Sequence, residues 1–228
     1  EMLRQATIEK VKSVAMALGY SPNTAARALR TGQVQNIALI VPDLTNPFMP
    51  PIALAAQKQA EKRGYCVFIG NADENPGHEE RLLARFSDQV SGAILVSPRS
   101  DEAVIRDIAS RIPLVLINRD IPSIPRVLID AGRGMAMAVE YLAKQGHARL
   151  AYISGPAQSW ANEQRHQAVF NAANRHGVQC LEIAAGAASF ASGMKLIDEL
   201  VLTGASAFLA FDDVLAHGIY FGLAERGF

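Results

Sequence analysis

From Asn36 to the end of the chain one rhythm repeats. A short β-branched or otherwise apolar run is followed by an amphipathic stretch at helical spacing, at intervals of about twenty to thirty residues. Few architectures accept that pattern. Strand, helix and strand in succession close as a right-handed crossover, so the strands lie parallel and helices cover both faces of the sheet. Runs near 36–41, 66–70, 92–96, 114–117, 127–129, 149–154, 178–183 and 206–210 predict strands. Stretches near 52–63, 78–87, 101–110, 133–144, 163–175, 190–202 and 214–226 predict helices. Between Ile129 and His147 the chain leaves one sheet, and the next strand starts only at Arg149, so this passage is expected to cross between two lobes. With 228 residues, half of them hydrophobic, there is enough apolar side chain for more than one lobe.

Open parallel sheets bind ligands beyond the carboxyl ends of their strands, which directs attention to the residues just after each strand. Asp43, Asn46 and Phe48 follow the first strand, Ser97 and Arg99 the third, and Asn118, Arg119 and Asp120 the fourth. Asp130 follows the short strand, Trp160, Asn162 and Arg165 the sixth, and Asp212 and Asp213 the eighth. Carboxylates, amides and guanidinium groups match hydroxyls in pairs, and Phe48 and Trp160 offer flat covers, so the set suits a sugar or sugar-like metabolite. Structural roles compete at each position. Asp43 and Asn46 have the chemistry to shape an Asx-turn before Pro47, Asn162 and Asp213 to cap helices, and Arg119 to pair with Asp120.

Other classes find less support. The chain holds no Gly-x-x-x-x-Gly-Lys-Ser/Thr, Gly-x-Ser-x-Gly or His-Glu-x-x-His, and Gly132-Arg133-Gly134 lacks the third glycine of a dinucleotide fingerprint. The five histidines show no metal-ligand spacing, and His78-Glu79-Glu80 reads as a solvated first helical turn. No catalytic residue, metal or cofactor is therefore expected. Cys66 and Cys180 lie in separate apolar runs and read as buried, reduced thiols. No run approaches the roughly 20 apolar residues of a membrane span, and the N-terminus lacks a secretory pattern, so a cytoplasmic location and no membrane partner are expected.

The N-terminal end is of a different kind. Net charge is zero overall, yet residues 1–32 hold Arg4, Lys10, Lys12, Arg27 and Arg30 against only Glu1 and Glu9. A basic head on a mildly acidic body places any polyanion partner there. Ile8, Val11, Val14, Ala15 and Leu18 at helical spacing predict a helix over 7–18, stopped by Gly19. A second, shorter helix is predicted after Ser21 as N-cap and Pro22 in the first position, ending at Gly32. At about nine residues it is too short to persist alone in water. Its small or apolar residues Ala25, Ala26 and Leu29, flanked by Asn23 and Arg30, fit an apolar wedge with phosphate-reaching groups, as minor-groove insertion requires. An ordinary capped surface helix is the competing reading.

Three segments carry a family resemblance. Leu18-Gly19-Tyr20-Ser21-Pro22-Asn23, Ala26-Arg27-Ala28-Leu29-Arg30-Thr31-Gly32 and Ile37-Ala38-Leu39-Ile40-Val41-Pro42-Asp43-Leu44-Thr45-Asn46-Pro47-Phe48 together resemble the LacI/GalR family of bacterial transcription regulators. The likeness continues through Gly64-Tyr65, Val90 to Leu95, Ile117-Asn118-Arg119, Gly146-His147 and Ile153-Ser154-Gly155-Pro156. It implies a two-lobed α/β fold with parallel sheets like those of periplasmic binding proteins. It further implies that 1–20 is the remnant of a helix-turn-helix domain, 21–35 a hinge helix and linker, 36–130 the first lobe and 131–228 an incomplete second lobe. On that basis the chain is expected to lack family segments at both ends.

The same resemblance shifts Phe48, Asp130, Arg165 and Asp212 toward effector binding, Arg165 through the run Trp160-Ala161-Asn162-Glu163-Gln164-Arg165. Three departures stand out. The Asp212 position is usually asparagine in the family, Ala168-Val169 stands where Gly-Phe is usual, and Pro50-Pro51 is expected to delay the start of the first lobe helix. The function implied is a homodimeric repressor of double-stranded DNA operators, with Asn23, Ala25, Ala26, Leu29 and Arg30 on DNA and a small sugar-like effector between the lobes. A periplasmic sugar-binding protein shares the architecture but predicts a secretory N-terminus and no basic hinge. An enzyme on this scaffold would need a catalytic cluster.

Overall fold

A computed structural model describes residues 4–20 and 34–228, so the expected hinge helix and its DNA-facing residues Asn23, Ala25, Ala26, Leu29 and Arg30 lie outside the described residues. Helix α1 runs Gln5–Ala17, and none of its residues is buried.

The first lobe contains β1 (Asn36–Val41), α2 (Met49–Glu61), β2 (Cys66–Asn71), α3 (Pro76–Phe86), β3 (Ala93–Val96), α4 (Glu102–Arg111), β4 (Leu114–Ile117) and the two-residue β5 (Arg126–Val127). Its strands form one sheet in the order β2-β1-β3-β4-β5, every pairing parallel. Alternation along β1 explains why this strand is apolar throughout. Ala38 and Ile40 enter one core with Leu95, Ile105 and Leu116, while Leu39 and Val41 enter a second with Met49, Ala53 and Val96. A strand covered by helices on both faces has no solvent side on which to place polar residues.

The second lobe follows α5 (Ala131–Lys144) with β6 (Arg149–Ser154), α6 (Trp160–His176), β7 (Gln179–Ala184), α7 (Phe190–Lys195), α8 (Ile197–Leu202), β8 (Ala207–Ala210) and α9 (Asp213–Glu225). Its sheet is β7-β6-β8, again parallel. β6 repeats the logic of β1, with Ala151 and Ile153 in one core and Leu150 and Tyr152 in the other. The chain therefore changes sheet between Val127 and Arg149.

Four expectations need correction. Pro50 and Pro51 do not delay α2, which starts at Met49. Both fall in its first turn, where a missing N–H forfeits no helical bond. The expected helix over 190–202 is two helices, because the chain turns at Leu196 and then sends Ile197 and Leu200 into the core beside β6. Cys66 is exposed at the start of β2 and is not buried; Cys180, half-buried, has its thiol pushed up to about 11 chiefly by burial. Glu79, read as part of a solvated turn, is 1 % exposed.

Candidate functional site

The two sheets present their carboxyl ends to a shared cavity of about 480 Å³. On the first-lobe side it is walled by the loop after β1. There Asp43 accepts from the Thr45 N–H at 2.8 Å and from its hydroxyl, and Asn46 Oδ1 accepts from the Phe48 N–H at 3.1 Å. These side-chain turns hold the loop in place of a helix or strand ladder. The Asn46 amide is thereby aimed outward, and its Nδ2 donates to Asp212 Oδ2 of the second lobe at 2.9 Å. Phe48 stands half exposed at the rim.

Three further wall residues, Glu74, Ser97 and Asn118, follow β2, β3 and β4, and each has a positive φ (55°, 44° and 59°). Non-glycine residues occupy this left-handed region at a cost of about 1–3 kcal/mol each, and such residues gather at functional sites. The surrounding bonds enforce the conformation. The Ser97 N–H donates to the Ile117 carbonyl at 2.7 Å, the Asn118 N–H to that of Val127 at 2.9 Å, and Asn118 Oδ1 accepts from the Ile129 N–H.

Arg99 lies beneath, 5 % exposed. Its Nε and Nη2 donate to the two carboxylate oxygens of Glu74 at 2.5 and 3.0 Å, and Nη1 to the Ser97 carbonyl at 2.6 Å. A forked pair of this kind fixes both partners and neutralises the buried cation. Glu79 completes the frame. Its two oxygens accept from the Arg99 and Ser100 N–H groups at 3.0 and 3.1 Å, which accounts for its burial.

On the second-lobe side, Arg165 projects from α6 with its guanidinium 4.5 Å above the Phe211 ring centroid. Burial chiefly lowers its pKa, with Tyr152, Asp212 and Asp213 opposing. An arginine starts so far above neutrality that it stays charged. The Phe211 ring can lie where it does because residue 155 is glycine; a Cβ there would come within 2.4 Å of the ring. Asn162, buried, accepts from the Tyr152 hydroxyl at 3.0 Å and the Gly155 N–H at 2.9 Å, tying the start of α6 to the end of β6. Asp212 caps α9 by accepting from the Leu215 N–H at 2.9 Å, so one oxygen serves the helix and the other Asn46. Burial raises its carboxyl above the usual range, opposed by the Leu215 N–H, the Asn46 amide and the Arg165 charge.

Of the residues read from sequence, Asp43, Asn46, Phe48, Ser97, Arg165 and Asp212 line this cavity, as do Arg99, Asn118 and Asp213. Asp130 does not: it is the exposed N-cap of α5, accepting from the Arg133 N–H at 3.0 Å. Arg119 and Trp160 instead line an adjoining pocket of about 220 Å³, with Arg99 and Ser159 common to both. Two competing structural readings are also corrected. The caps of α6 and α9 are Ser159 and Asp212, one step away from Asn162 and Asp213 in role, and Asp120 pairs with Arg126 at 2.5 Å and not with Arg119. Sequence reasoning missed Glu74, Ser159 and Phe211. Glu74 follows the one first-lobe strand whose end was not inspected, and Phe211 is apolar in a search for polar groups. Among the described residues no cluster could hold a metal ion, and no helix is long and apolar enough to cross a membrane.

Comparison with known proteins agrees with this geometry. Residues 34–228 match the family described as periplasmic binding proteins and sugar binding domain of the LacI family. The chain is 30% identical over 220 residues to the HTH-type transcriptional regulator DegA of Bacillus subtilis, covering 92% of this chain and 65% of DegA. It is 30% identical over 207 residues to the HTH-type transcriptional repressor CytR of Escherichia coli, covering 88% of this chain and 61% of CytR. The chain thus spans less than two thirds of the length of these relatives. Among solved structures, the Lac repressor dimer bound to operator and an anti-inducer superposes with a TM-score of 0.85 at 22% identity, over 100% of this chain and 71% of that one.

Proposed function

The chain belongs to the family of periplasmic binding proteins and LacI-type sugar-binding domains, and on that footing we propose that it is the effector-binding part of a transcription repressor whose grip on operator DNA is set by a small sugar. The observation that carries the proposal is the cavity closed by both lobes and bridged by the Asn46–Asp212 hydrogen bond. A ligand that adds contacts to both walls must bias the equilibrium between open and closed lobes, and allosteric couplings of this sort are typically about 1–3 kcal/mol. The relatives DegA and CytR are transcription regulators, which supports a regulator over an enzyme and a cytoplasmic location over a periplasmic carrier. The basic balance of residues 1–32 supports the same choice.

In this scheme residues 1–20 belong to a helix-turn-helix domain, 21–35 form the hinge, 36–130 and 131–228 are the two lobes, and two copies pair so that their hinges meet on DNA. Asn23, Ala25, Ala26, Leu29 and Arg30 contact the duplex. Asp43, Asn46, Phe48, Ser97, Arg165 and Asp212 contact the effector. The test is operator binding by the full-length protein across a sugar panel. Arg165→Ala is expected to abolish the response to sugar while operator DNA is still bound, and an unchanged dose response would remove Arg165 from the site.

A further inference from the structure

The pocket beside the main cavity contains a polar atom that the fold leaves without a partner. Ser100 is 1 % exposed, and its hydroxyl is the buried side-chain oxygen or nitrogen that makes no hydrogen bond among the described residues. Buried polar groups are nearly always satisfied, so an orphan beside an open pocket points to a group supplied from outside. Around it stand Arg119, which makes no ion pair among the described residues, the carboxylates of Asp101 and Glu163, the Gln158 amide and the Trp160 ring. A flat aromatic with a cation, acids and an amide at its edges provides donors and acceptors for several hydroxyls and an apolar face for a pyranose ring.

The charges argue against a phosphate in either space. Arg99 is committed to Glu74, and Arg165 stands in the field of Asp212 and Asp213, while Asp43 adds another carboxylate to the main cavity. In the side pocket Arg119 faces Asp101 and Glu163. A dianion would meet more acids than uncommitted cations. Because Arg99 and Ser159 line both spaces, a single ligand can pass from one to the other.

We infer that the effector is an uncharged disaccharide or glycoside, one unit in the main cavity and the second on Trp160, Arg119 and Ser100 in the adjoining pocket. This rests on the sugar-responsive reading above and extends it. The test is isothermal titration of the full-length protein with maltose, cellobiose, lactose and sucrose, their component monosaccharides, and glucose 6-phosphate. At least one disaccharide is expected to bind about tenfold or more tightly than its best component. Trp160→Ala and, separately, Arg119→Gln are expected to bring that ratio down toward one. A monosaccharide that binds as tightly as any disaccharide, tightest binding of glucose 6-phosphate, or a ratio unchanged in both variants overturns the second subsite while leaving the sugar-responsive reading in place. Absence of heat with every sugar overturns both.

Discussion

Glu79 occupies the first turn of α3, where a carboxylate already benefits from the helix dipole, yet its side chain turns inward to the N–H groups of Arg99 and Ser100. Removing it leaves two buried donors unpaired at about 1–3 kcal/mol each. Glu79→Ala is therefore expected to lower the unfolding free energy in urea by about 3 kcal/mol, and Glu79→Gln, which keeps one acceptor oxygen, by clearly less. Equal unfolding midpoints for wild type and Glu79→Ala would show that the carboxylate does not carry this loop. Nothing local to His78-Glu79-Glu80 discloses the role, since the partners lie 20 and 21 residues downstream. Asp212 was easier to read. It directly follows β8 and precedes an apolar helix, so its place at a strand end and at a helix start was visible. The Asn46 partner, 166 residues away, was not.

Elements are legible in this chain where local pattern and tertiary demand agree. β1 and β6 are apolar on both faces because helices cover both, and that run is readable without knowledge of the neighbours. The pair α7 and α8 was read as one helix because amphipathic spacing continues across Leu196. The turn there answers to a contact between elements. A Cβ on Gly193 would lie 2.5 Å from the Leu215 carbonyl oxygen, and one on Gly218 would lie 2.2 Å from that of Phe190. α7 and α9 thus approach backbone to backbone through two glycines, and the axis of α7 is fixed before α8 begins. Gly218→Ala must push the two helices apart, so a thermal unfolding midpoint lowered by several degrees is expected. An unchanged midpoint would mean that the close approach is not what holds α7.

At the scale of the molecule, each lobe is a complete parallel layer with its own cores, and the cavity exists only where the two meet. Strand ends taken singly gave most of its polar wall. They could not give the division between main cavity and side pocket, which depends on how one lobe faces the other and sends Trp160 and Arg119 away from Arg165. That same facing is what a ligand must alter to be felt at the DNA. Trp160 is the one tryptophan of this sequence and stands beside the cleft, so its fluorescence reports occupancy. The most direct measurement is one titration of the full-length protein, held with labelled operator DNA, by the tightest-binding sugar, following Trp160 emission and DNA anisotropy together. Linkage between cleft and operator predicts that both signals change with a common midpoint. A saturating change in Trp160 emission with no change in anisotropy would contradict it.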